Sequence, residues 1–94
     1  MQGQSEAIRD DTLRSYIGEL FGEYDRDHRG TLNSQQMTGF FNHLFLSQGV
    51  SMTLSEAQAI EAIRAVHPTY NGTVTQDQLF TTFKTLLALY FWLT

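Results

Sequence analysis

The sequence predicts an all-α domain of four helices, and three observations lead there. Apolar residues recur with helical spacing along most of the chain. Three of the expected helix starts pair a capping residue with a Glu or Gln three positions later. Two interhelical segments carry the same Gly-Thr-branched apolar triplet, Gly30-Thr31-Leu32 and Gly72-Thr73-Val74, 42 residues apart.

The first helix, about residues 6–25, carries Ile17, Leu20, Phe21 and Tyr24 at i, i+3, i+4, i+7, which forms one apolar stripe. The second, about 34–48, repeats the spacing with Met37, Phe40, Phe41 and Leu44, and Asn33 with Gln36 marks its start. The third, about 54–66, has a weaker stripe of Ile60, Ile63 and Val66, and the pair Thr53 and Glu56 marks its expected start. The fourth, about 76–92, runs through Leu79, Phe83, Leu86, Leu87 and Tyr90 behind the pair Thr75 and Gln78. The chain therefore reads as two consecutive helix–loop–helix units, about 6–48 and 54–93, in one domain spanning 1–94. The triplet after each glycine is β-prone. The two triplets are expected to pair as a short ribbon, with Leu32 and Val74 turned into the core.

Composition narrows the function. An apolar content of 41% supplies a core for 94 residues. A net charge of −4 argues against nucleic acid as the main partner and is compatible with a basic one. The absence of cysteine excludes disulfides and thiolate metal sites. The polar N-terminal segment lacks the apolar stretch of a signal peptide. The most apolar run, Leu86 to Leu93, is far shorter than the ~20 residues of a spanning helix, so membrane insertion is not expected. No nucleophile motif, phosphate loop or paired acidic motif outside the first loop points to an enzyme. His28, His43 and His67 offer two loop histidines without a third ligand, a poor zinc set.

The stretch Asp25 to Gln36, DRDHRGTLNSQQ, resembles the metal loop of the EF-hand family, which includes calmodulin-like proteins and myosin light chains. Asp25, Asp27, Gly30 and Leu32 fall at loop positions one, three, six and eight. The second unit matches through Gly72, Val74 and the helix pattern. The resemblance covers nearly the whole chain and implies a pair of EF-hands whose two loops are joined by a short β-ribbon. It also implies a calcium ligand set in the first loop: Asp25, Asp27, Thr31 through its carbonyl, Asn33 through water, and Gln36. That set is depleted. Calcium takes six to eight oxygens, including a bidentate Glu at position twelve. Here position five is Arg29, which has no acceptor, and position twelve is Gln36. The second loop presents His67, Thr69, Asn71, Thr73, Thr75 and Gln78, with no carboxylate. Low-affinity calcium binding in the first loop is the most the sequence allows, and no cofactor is required.

The function this resemblance implies is that of a calcium-independent adaptor or light-chain-like subunit. It would grip an amphipathic helix of a larger motor, cytoskeletal or other assembly in the cytoplasm. A groove for that helix would be lined by Phe21, Leu32, Met37, Phe41, Ile63, Leu79 and Phe83. The expected partner anchors are Phe41, Phe45, Leu87, Tyr90, Phe91 and Trp92, because residues 86–93 are apolar on every side and one domain covers only part of such a helix. With Met1, Met37 and Met52 its only methionines, the chain lacks the adaptable surface of a promiscuous sensor. The alternatives are a low-affinity calcium sensor and a self-associating structural protein. The connecting segment Gln48 to Ser55 resembles the hinge of small dimeric EF-hand proteins, although those carry their better metal loop second.

Overall fold

Helical periodicity and local capping organise the chain as expected. A computed structural model describes residues 10–93, with side chains through Leu89. Helix α1 spans Asp10–Tyr24, strand β1 Leu32–Asn33, α2 Ser34–Ser47, α3 Glu56–Val66, β2 Thr73–Val74 and α4 Gln76–Leu93. The fold is all-α, with one two-stranded antiparallel sheet in the register Leu32↔Val74 and Asn33↔Thr73.

The caps explain where helices begin. Asn33 and Gln36 form a reciprocal box at α2: the Asn33 side chain accepts from the Gln36 N–H at 2.8 Å, and the Gln36 side chain accepts from the Asn33 N–H at 2.9 Å. Thr75 and Gln78 make the same exchange at α4. Helix α3 departs from expectation. Its box is Ser55 with Gln58, two residues later than the expected Thr53 and Glu56. The cause lies in α2. The Asn42 side chain donates to the Leu54 carbonyl at 3.0 Å and accepts from the Leu54 N–H at 2.8 Å, which holds Leu54 outside the helix.

The core is continuous. Leu13, Ile17, Leu20 and Phe21 of α1 meet Met37, Phe40, Phe41, Leu44 and Phe45 of α2, Ala59 and Ile63 of α3, and Leu79, Phe80 and Phe83 of α4. Leu32 and Val74 are fully buried, so the ribbon plugs the centre of the domain as its sequence predicts. Phe45 packs on Phe83 with ring centroids 5.3 Å apart, joining α2 to α4. Every residue expected to line a groove is buried in this core. The arrangement is therefore closed, with no open apolar channel among those residues.

At the seam of α1 and α4, Arg14 lies 4.0 Å over the Phe80 ring and pairs with Asp77 at 3.0 Å, while Lys84 pairs with Asp10 at 2.8 Å. These pairs are solvent-facing and contribute ~0–1 kcal/mol each, so the greater effect of the long side chains is to cover Phe80.

One buried polar atom has no partner among the described residues, the Thr82 hydroxyl on the inner face of α4. A desolvated, unpaired hydroxyl costs on the order of 1–3 kcal/mol. Thr82→Val keeps the shape and removes that cost. It is expected to stabilise the domain by about 1 kcal/mol in urea denaturation, with unchanged helical circular dichroism.

Candidate functional site

The first interhelical loop, residues 25–33, holds the buried carboxylate found among the described residues. Its first residue, Asp25, is buried at 8% exposure, rare for a carboxylate unless it is paired or hydrogen-bonded. Its partners are backbone groups. One carboxylate oxygen accepts the Arg29 N–H at 2.9 Å, and the other accepts the Gly30 N–H at 2.8 Å. The chain reaches those positions by turning through left-handed conformations at His28 (φ 54°) and Gly30 (φ 81°). Only glycine adopts the second without strain from a Cβ, which is the reason for Gly30 in this loop.

The far end of the loop is tied back to its start. Gln36 uses its side-chain oxygen on the Asn33 N–H and donates from Nε2 to the carbonyl of Tyr24 at 3.2 Å. Tyr24 is the last residue of α1, and Gln36 lies in the first turn of α2. One amide side chain thus caps the second helix and clasps the end of the first. The Tyr24 ring adds an apolar joint, packing edge-on against Phe40 with centroids 5.7 Å apart.

Three of the five residues expected as calcium ligands are already engaged in hydrogen bonds within the chain. Asp25 is bonded through both oxygens, Asn33 through Oδ1 and Gln36 through Oε1. Asp27 is exposed and lies 3.7 Å from Arg29 Nε, which is itself solvent-facing. Two carboxylates, two neutral amides and a guanidinium do not fit a hard divalent ion that takes six to eight oxygens. Among the described residues, no group of three or more His, Asp or Glu side chains is placed to hold a metal.

The second loop is closed by other means. His67 Nε2 lies 2.7 Å from the Thr81 hydroxyl, linking the end of α3 to α4, and the Tyr70 N–H bonds the His67 carbonyl at 3.0 Å. Arg64 lies 6.0 Å over the Tyr70 ring. Among the zinc candidates, His67 is committed to Thr81, and His43 stacks edge-on with Tyr24.

The expected partner anchors have different fates. Phe41 and Phe45 are fully buried in the core, so they are not surface anchors in this closed arrangement. The cause is that α2 packs against α3, α1 and both strands of the ribbon, with the Phe45 ring set on Phe83 of α4. Leu87 is half-buried against the core. Tyr90, Phe91 and Trp92 lie outside the residues whose side chains are described. Among the described residues, the large apolar side chains that face solvent are Leu46, at 80%, and Leu89, at 52%. Sequence reasoning missed Asn42, whose only signal is a lone amide within the apolar run Phe40 to Leu46. It also missed the Tyr24 carbonyl, which no side-chain pattern reveals.

Gln36→Ala removes the box acceptor and the clasp together. It is expected to destabilise the domain by about 1–2 kcal/mol in urea denaturation, equally with calcium and with chelator.

No protein-family model matches the chain, and no curated protein matches it.

Proposed function

We propose that this chain is a pair of degenerate EF-hands that works without calcium, as an adaptor or light-chain-like subunit in a larger cytoplasmic assembly, motor or cytoskeletal. The observation that carries the reading is the Gln36 clasp, with its oxygen on the start of α2 and its Nε2 on the Tyr24 carbonyl. In a working hand, a metal bridges the first and last loop positions. Here hydrogen bonds take over that bridging at both ends. The antiparallel Leu32–Val74 pairing between two helix–loop–helix units supports the same reading.

Protein binding is favoured over chemistry for three reasons. The polar groups of the loop are spent on holding the backbone. The domain is acidic, with a net charge of −4, which suits a basic amphipathic helix. The end of α4 carries an unbroken apolar run, Leu86 to Leu93, within which Leu89 is exposed. No helix among the described residues is long and apolar enough to cross a membrane, so that run suits a protein contact better than a span. Self-association is the second reading, favoured by the exposed Leu46 and Leu89, and it predicts a dimer mass in sedimentation without any partner.

The test restores what the loop lacks. Arg29→Asp with Gln36→Glu supplies acidic ligands at positions five and twelve. The parent chain is expected to melt at the same temperature in calcium and in chelator. The double variant is expected to gain several degrees in calcium, the effect of a ligand that binds only the folded state. A double variant indifferent to calcium would contradict the EF-hand reading. A parent chain stabilised by calcium would contradict calcium independence. Pull-down of the tagged chain from native extract, divided between calcium and chelator, is expected to retain the same partner in both.

A further inference from the structure

The segment joining α2 to α3 is built differently from the two interhelical loops. From Val50 to Ser55 burial alternates: Val50 is buried, Met52 and Leu54 are half-buried, and Ser51, Thr53 and Ser55 are exposed. That period of two is the signature of an extended chain laid along an apolar surface. Val50 belongs to the core, and Met52 and Leu54 pack against it.

The strap is fixed at its ends. At its start, Gly49 (φ 72°) ends α2, the Gly49 N–H bonds the Leu46 carbonyl at 3.1 Å, and the Val50 N–H bonds the Phe45 carbonyl at 2.8 Å. This is the paired closure that glycine-terminated helices use, with the following apolar residue turned inward. At its other end, the Asn42 amide bonds both backbone groups of Leu54. Between these points, Ser51, Met52 and Thr53 take part in none of the hydrogen bonds among the described residues. The cover is thus held by apolar contact, the Val50 N–H bond and one side-chain latch, whereas the interhelical loops are held by the ribbon and by capping boxes.

The latch sits beside the residues a partner would need. Asn42 follows Phe41 and precedes Phe45 by three positions on the same helix. Both phenylalanines are inaccessible while the domain is closed. A helix that reaches them must first move something, and the strap is a segment without helical or ribbon bonds, tied to α2 by the Asn42 amide and the Val50 N–H. We propose that Val50–Leu54 is a displaceable cover, latched by Asn42, whose release opens the core surface around α2 to an amphipathic helix of a partner protein. This rests on the helix-binding reading above, but opening itself is read on the isolated chain.

The experiment uses the full chain and Asn42→Ala, with Met52→Ser as a second variant that removes an apolar contact and leaves the latch intact. Hydrogen exchange at the bonded amides of Val50 and Leu54 is expected to rise by about tenfold or more in both variants, with protection in α1 and α4 unchanged. Binding of the fluorescent apolar dye ANS is expected to increase. A cationic Leu/Lys amphipathic helix is expected to bind Asn42→Ala at least about fivefold more tightly than the parent, because a larger competent fraction raises apparent affinity in proportion. A scrambled peptide of the same composition controls for charge. Faster exchange confined to the Leu54 amide, with unchanged dye binding, would overturn the cover. So would wholesale unfolding of both variants, since the strap would then be integral core. Increased exchange and dye binding without tighter peptide binding would leave the strap mobile and overturn both its role as a gate and the helix-binding reading. Tighter peptide binding alongside a calcium-responsive parent chain would keep the gate and remove only calcium independence.

Discussion

The geometry of the domain depends on the antiparallel contact between Leu32 and Val74. Each belongs to a short extended segment that has left one helix and not yet entered the next. Pairing the segments satisfies backbone groups that would otherwise be buried without partners, since both side chains are fully inside the core. Once the ribbon is formed, the start of α2 and the start of α4 are fixed relative to each other. Their capping boxes then orient the helices, and the Phe45–Phe83 contact locks the crossing. A loop joined this way needs its own ends held close, and in the first loop Gln36 and Asp25 do that with hydrogen bonds.

This division of labour gives Gln36 its meaning. A glutamate at the same position offers two acceptors and no donor, so it needs a cation to bring it to the Tyr24 carbonyl. Glutamine has both an acceptor and a donor, and it bonds the Asn33 N–H and the Tyr24 carbonyl at once. Asp25 plays the matching part at the loop's start, with each oxygen held by a backbone N–H in charge-assisted hydrogen bonds. Arg29 stands beside Asp27 and offsets the remaining charge.

Much of this was legible in the sequence, for identifiable reasons. The four stripes follow from helical periodicity, and the Gly-Thr-apolar repeat announced the ribbon and its plugs. The Asn33 and Thr75 boxes were readable because side chain and target lie three residues apart. The start of α3 was not, because Thr53 and Ser55 offer equally good caps and the choice is made by Asn42, a residue distant in sequence. The burial of Phe41 and Phe45 escaped for a related reason. Helical periodicity marks apolar faces but does not say which of them the neighbouring helices and the ribbon cover. The Gln36–Tyr24 bond was invisible because its acceptor is a main-chain carbonyl, which every residue carries. The apolar run at the end of α4 was evident, and its first members divide between the half-buried Leu87 and the exposed Leu89.

The central claim is that bonds within the chain, and not a cation, close the first loop. The most direct measurement is the amide NMR resonance of Gly30, whose N–H is held by the Asp25 carboxylate at 2.8 Å, followed through a calcium titration into the millimolar range. The Gly30 resonance is expected to stay in place, with those of Arg29 and Asn33. A saturable shift of Gly30 at micromolar calcium would contradict it, because the ion would then be doing the work assigned to Gln36.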